Sequence, residues 1–98
     1  MEFRVLQYFL AIAREETISK ATESLHITHP TLSRQMKGLE EQLGKQLFIR
    51  GNRKINLTEE GILLRQRAEE IISLVEKTES EIIHSDTTIT GDIYIGSG

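Results

Sequence analysis

THPTLSRQMKGLEEQLG, residues 28–44, reads as a single helix with both of its ends marked. Thr28 can cap it, Pro30 falls in the first turn where a missing N–H costs little, and Gly44 closes it. Leu32, Met36, Leu39 and Leu43 recur at helical spacing and form the expected buried face. At about 100° per residue, Pro30, Arg34 and Lys37 then lie opposite, with Ser33 on the flank and His29 near the edge. From Thr28 through Leu39 there is no acidic side chain. The outer face therefore offers a guanidinium, an ammonium, a hydroxyl and an imidazole beside the positive end of the helix dipole, all suited to a polyanion. Arg34 is long enough for a bidentate contact with guanine O6 and N7, and Pro30 and Thr31 offer apolar contact to a thymine methyl. Glu40 and Glu41 come about 10 Å further up the axis, where such a helix would leave a groove. The competing reading is an ordinary solvated helix face, the usual place for charged side chains.

The flanking sequence fixes the setting. Residues 2–14 place Phe3, Leu6, Phe9, Leu10 and Ala13 on one helix face and Val5, Tyr8 and Ile12 on another, so this helix should be covered on two sides. Thr17 caps a short second helix carrying Ile18, Ala21 and Leu25. After Gly44 the period changes: Leu47–Ile49 and Lys54–Leu57 are short β-capable runs around Gly51 and Asn52, a candidate hairpin with Arg50, Arg53 and Lys54 about its tip. Such a basic tip can reach a minor groove or a row of phosphates, or can be no more than a solvated loop. Thr58 caps a fourth helix with Glu59 and Glu60 in its first turn, running to about Ser85 over roughly 40 Å. Leu64, Ala68, Ile71, Val75, Thr78 and Ile82 form a heptad seam along it, while Ile62, Ile72 and Ile83 lie outside the seam. A helix this long outruns a head with a radius of about 10 Å, so the seam is expected to pair with a second copy. Past Asp86, Ile89, Ile93 and Ile95 alternate like an opening strand.

Ninety-eight residues, 38% hydrophobic and 28% charged, suit one small folded domain with an extension. There is no cysteine, which excludes disulfides and thiolate chemistry. No apolar run approaches the ~20 residues of a membrane span, and the N-terminus lacks a leader's cleavage site, so a cytoplasmic protein without membrane contact is expected. The net charge of −3 is unevenly spread. Residues 1–57 hold nine Lys/Arg against six Asp/Glu, and residues 58–98 hold three against nine. That asymmetry fits a DNA-facing head and an acidic body kept away from phosphate.

Three helices, a basic hairpin and a long helix follow in the order of a winged helix-turn-helix, a mainly α architecture of three helices plus a two-stranded wing, here followed by a long dimerisation helix. Residues 21–61 also resemble the N-terminal domain of LysR-type transcriptional regulators, whose pattern is A-A-x-x-L-x-x-S-Q-P-[AS]-[LV]-S-x-Q-I-x-x-L-E-x-x-L-G, then L-F-x-R and L-T-x-x-G. Leu25, Pro30, Leu32, Ser33, Gln35, Leu39, Glu40, Leu43, Gly44, Leu47, Phe48, Arg50, Leu57, Thr58 and Gly61 fall in register without a gap. Thr22, Thr28 and Met36 depart conservatively, and His29 stands where glutamine is common. The resemblance, which covers residues 1 to about 88, implies a homodimer joined through antiparallel fourth helices and set on a dyad-related operator in double-stranded DNA. It implies base contacts from His29, Pro30, Thr31, Ser33 and Arg34, and backbone or wing contacts from Thr28, Gln35, Lys37, Arg50, Arg53 and Lys54. It divides the chain into a DNA-binding domain (1–58), a linker helix (59–86) and the start of an effector-binding domain (87–98). A small-molecule effector would act only through that last domain, and the full-length protein could form a tetramer.

Other chemistries fit poorly. His26 and His29 are three residues apart across a turn, with His84 remote, no cysteine and no clustered carboxylate, so no metal is expected. GLEEQLGKQ, residues 38–46, imitates a phosphate loop but has five residues between its glycines and glutamine after its lysine. No G-x-S-x-G motif or other serine–histidine–acid order is present, so neither an enzyme nor a cofactor is expected. The remaining alternative is a protein-interaction module with the heptad helix as its working surface. Such a module has no need for Arg34, Lys37, Arg50 and Arg53 to point one way.

Overall fold

The computed structural model describes residues 1–51 and 54–85. Its elements are α1 (Phe3–Glu15), α2 (Ile18–Leu25), α3 (His29–Leu43), β1 (Phe48–Arg50), β2 (Ile55–Leu57) and α4 (Glu59–Ile83). Arg53 of the hairpin tip and the strand-like residues Ile89, Ile93 and Ile95 lie outside the described residues.

Threonine starts three of the four helices. Thr17, Thr28 and Thr58 accept the backbone N–H of Lys20 (3.2 Å), Thr31 (3.3 Å) and Gly61 (3.0 Å), each satisfying a donor that the first helical turn leaves without a partner. The first three helices end on left-handed residues, Glu16 (φ 68°), His26 (φ 58°) and Gly44 (φ 70°), whose N–H groups turn back to Ile12, Thr22 and Glu40. These caps produce the sharp corners that fold α1, α2 and α3 onto one another.

The core gathers Phe9, Ile12, Leu32 and Leu47, all fully buried, with Ala11, Ala21, Met36 and Leu39. The two-sided apolar character of α1 has its cause here: α1 packs against α2 and α3 and also against α4. The Phe9 and Phe48 rings meet at 5.4 Å with a 43° tilt, tying the base of the hairpin to α1. On α3, Leu32, Met36 and Leu39 are buried as the periodicity predicts, but Leu43 remains 39% exposed because the last turn runs beyond the core.

The hairpin is antiparallel, with Phe48 opposite Leu57, Ile49 opposite Asn56 and Arg50 opposite Ile55. Both strands begin one residue later than the sequence pattern suggested. Leu47 is withdrawn into the core, where its N–H goes to the Glu40 carboxylate and its carbonyl to the Thr58 N–H.

Helix α4 is 25 residues long, about 37 Å, and the molecule extends 59 Å in its longest direction. The predicted seam divides along this length. Ala68 is fully buried within its own protomer and Leu64 packs half-buried against the same core, so these two positions serve the head. Ala68 therefore offers no open surface to a second copy, and Leu64 offers only part of its own. A straight helix drifts by about 20° per heptad, so a seven-residue repeat cannot keep one face on α1 throughout. Further on, Val75 is half-buried, while Ile71, Leu74, Ile82 and Ile83 are exposed.

Candidate nucleic-acid interface

The start of α3 is an outward-facing polar surface built on its cap. The Thr28 hydroxyl lies 2.8 Å from the Thr31 hydroxyl as well as accepting the Thr31 N–H, so the two threonines hold each other across the first turn. His29 and Pro30 are exposed on that turn, and the Ser33 hydroxyl lies 3.4 Å from His29 Nδ1. Arg34 and Lys37 are exposed, while Thr31, Ser33 and Gln35 are half-buried at the margins of the face. Among the described residues the ion pairs are Arg14–Glu15, Lys54–Glu16 and Arg67–Glu70. Arg34, Lys37 and Arg50 are exposed and belong to none of these pairs among the described residues. Exposed cations along a helix whose first turns carry no carboxylate suit a phosphate backbone, and a guanidinium among them suits a base edge.

Arg50 ends β1, and Lys54 precedes β2 with its carbonyl accepting the Gly51 N–H at 3.1 Å. The structure thus brings together His29, Pro30, Thr31, Ser33, Arg34 and Lys37 on one helix and puts Arg50 and Lys54 on the hairpin. Arg53 falls outside the described residues.

The residues that set this hairpin relative to α3 were missed as site residues in the sequence. Glu40, expected only to mark where the helix leaves a groove, accepts the Leu47 N–H at 2.8 Å in a partly buried setting. One of its carboxylate oxygens is engaged there, and it joins the end of α3 to the root of the hairpin. Thr58 works in both directions. Its hydroxyl donates to the Gln46 carbonyl at 2.7 Å while accepting the Gly61 N–H, and its own N–H donates to Leu47 at 3.0 Å. Gly61 is buried, and a Cβ there would overlap the Leu47 carbonyl oxygen and meet Leu57 Cβ at 3.1 Å. Only a residue without a side chain lets α4 begin this close to β1. The capping signal at Thr58 was legible; the partners at Gln46 and Leu47 depend on a chain reversal that periodicity does not encode.

A sequence model of bacterial regulatory helix-turn-helix proteins of the lysR family matches residues 3–62. This chain belongs to the LysR family. It is 40% identical over 98 residues to the HTH-type transcriptional regulator BsdA of Bacillus subtilis, an alignment covering 99% of this chain and 34% of that protein. The crystal structure of BenM_DBD with catB site 1 DNA is similar at a TM-score of 0.85 and 39% identity, covering 95% of this chain and 100% of that one. A CbnR_DBD–DNA complex matches at a TM-score of 0.82 and 35% identity, covering 88% and 99%. The chain spans about a third of the length of BsdA and a quarter of that of BenM, a curated relative of Acinetobacter baylyi. Within this LysR-family chain, no helix among the described residues is long and apolar enough to cross a membrane.

Proposed function

We propose that this chain is the DNA-binding head and linker helix of a LysR-type transcriptional regulator that binds a dyad-related operator as a dimer. Residues 1–58 form the reading head and 59–86 the linker. The observation that carries the reading is the exposed, carboxylate-free start of α3 with Arg34 and Lys37 outside the ion pairs of the described residues, on a fold shared with relatives crystallised on DNA. His29, Pro30, Thr31, Ser33 and Arg34 read base edges, and Thr28, Gln35 and Lys37 hold the backbone. Arg50, Arg53 and Lys54 of the wing meet phosphates or the neighbouring groove.

The dimer uses the part of α4 that lies past the head. Ile71, Val75, Thr78 and Ile82 remain as interface positions, and Leu74, 63% exposed on an adjoining face, joins them. Leaving Leu74 and Ile82 in water forfeits about 1.5–3 kcal/mol each relative to full burial, which favours a second copy over an isolated rod. Selection of bound oligonucleotides from a random pool tests the function. The expected result is a dyad-symmetric consensus with half-sites on successive major grooves, about 10 bp apart. Recovery of unselected sequences at every salt concentration would overturn base reading.

A further inference from the structure

Glu16 joins the turn between α1 and α2 to the wing through two separate contacts. Its carbonyl accepts the Ile55 N–H at 2.8 Å, holding the first residue of β2, and its carboxylate lies 3.4 Å from Lys54 Nζ. Its backbone is left-handed at φ 68°, a conformation that glycine adopts more easily than glutamate. The carbonyl contact needs only a peptide group, so the backbone supplies no reason for a carboxylate here. The side chain has a different reach: it engages the wing lysine next to Arg53, while Arg34, Lys37 and Arg50 belong to none of the ion pairs among the described residues.

We propose that Glu16 is a positioning residue for the wing that restrains Lys54 and acts as an internal competitor of DNA phosphate. This inference rests on the DNA-binding reading above. Both side chains are more than half exposed, 66% for Lys54 and 54% for Glu16, so the pair is too weak to hold the fold but strong enough to adjust a binding constant. With Glu16 present, the Lys54 ammonium is drawn toward that carboxylate and part of its charge is offset before it meets a phosphate, so sequence-independent binding is held down. Base reading by α3 is left intact because Glu16 faces the wing and not the recognition helix.

The test measures the affinity of the chain for a fluorescent random-sequence duplex of about 30 bp at low salt. Measurable binding by the unaltered chain establishes the phosphate-dependent part of the DNA reading; its absence would refute that reading and this inference together. Given that binding, Glu16→Gln should tighten it about two- to fivefold, the range an exposed ion pair allows. Glu16→Gly, which retains the left-handed turn and the carbonyl acceptor, should do the same without lowering the melting temperature. In a Lys54→Gln background the Glu16→Gln gain should vanish, and Glu15→Gln in the unaltered chain should produce less than half the gain. An equal gain with and without Lys54 would assign the effect to general charge and overturn the proposal. Unchanged or weaker binding by both Glu16 variants would overturn it too.

Discussion

Two glycine-to-alanine substitutions should shift stability in opposite directions. Gly61 lies in the first turn of α4, and the added methyl would overlap the Leu47 carbonyl oxygen while pressing Leu57 Cβ at 3.1 Å. Backbone atoms cannot rotate away as a flexible side chain can, so α4 or the chain entering β1 must shift. Overpacking of this kind costs about 1–3 kcal/mol. The shift also stretches the Thr58 cap at Gly61 N–H and the Thr58–Gln46 contact, a further loss of about 1 kcal/mol. Alanine's better helix propensity offsets up to about 1 kcal/mol, leaving a net destabilisation near 2 kcal/mol. For a domain of this size that is a fall of about 8–16 °C in melting temperature. Gly38, in the middle of α3, has nothing within 4 Å of the place an added methyl would take, so Gly38→Ala gains about 0.5–1 kcal/mol and a few degrees. Calorimetry of the three proteins at one shared concentration, needed because dimerisation couples melting to concentration, measures both shifts. A Gly61→Ala protein melting at or above the unaltered chain would refute the close-approach argument, whatever Gly38→Ala does.

Arg34→Ala should cost about 1–3 kcal/mol in operator affinity and relax the preference at one base pair per half-site, whereas Lys37→Ala should weaken all sequences alike and reduce the salt slope by about one; titrations over a salt series separate the two. Ile71→Asp places a charge on the exposed stretch of α4 and should give a monomer in sedimentation equilibrium, and an unaltered mass would remove Ile71 from the interface. Glu40→Ala strands the Leu47 N–H and should cost about 1–3 kcal/mol in urea unfolding, with Glu40→Gln losing less because its amide oxygen can still accept; an unshifted midpoint for both would show that the contact contributes nothing.

Much of the fold was legible because it follows from short-range rules. Threonine caps at Thr17, Thr28 and Thr58, the left-handed stop at Gly44 and the buried positions Leu32, Met36 and Leu39 are all local matters of hydrogen bonding and periodicity. What periodicity did not show has a common source. Leu43 shares the face of Leu39 but is exposed, since the depth of the core at that turn is set by neighbouring helices. Leu64 and Ala68 continue a heptad that looks uniform, yet Ala68 is fully buried and Leu64 half-buried within their own protomer.

The sequence by itself determined the element order, the carboxylate-free start of α3 and the sign of its charge, because composition, capping and side-chain period are properties of neighbours along the chain. Only the tertiary structure decided where that charge is aimed and what holds it there. The Glu40 carboxylate on Leu47, the Gly61 approach to β1 and the Glu16 grip on Lys54 join residues 7, 14 and 38 positions apart. Contacts over such separations exist only once the core has brought the turns together, and no local pattern specifies them.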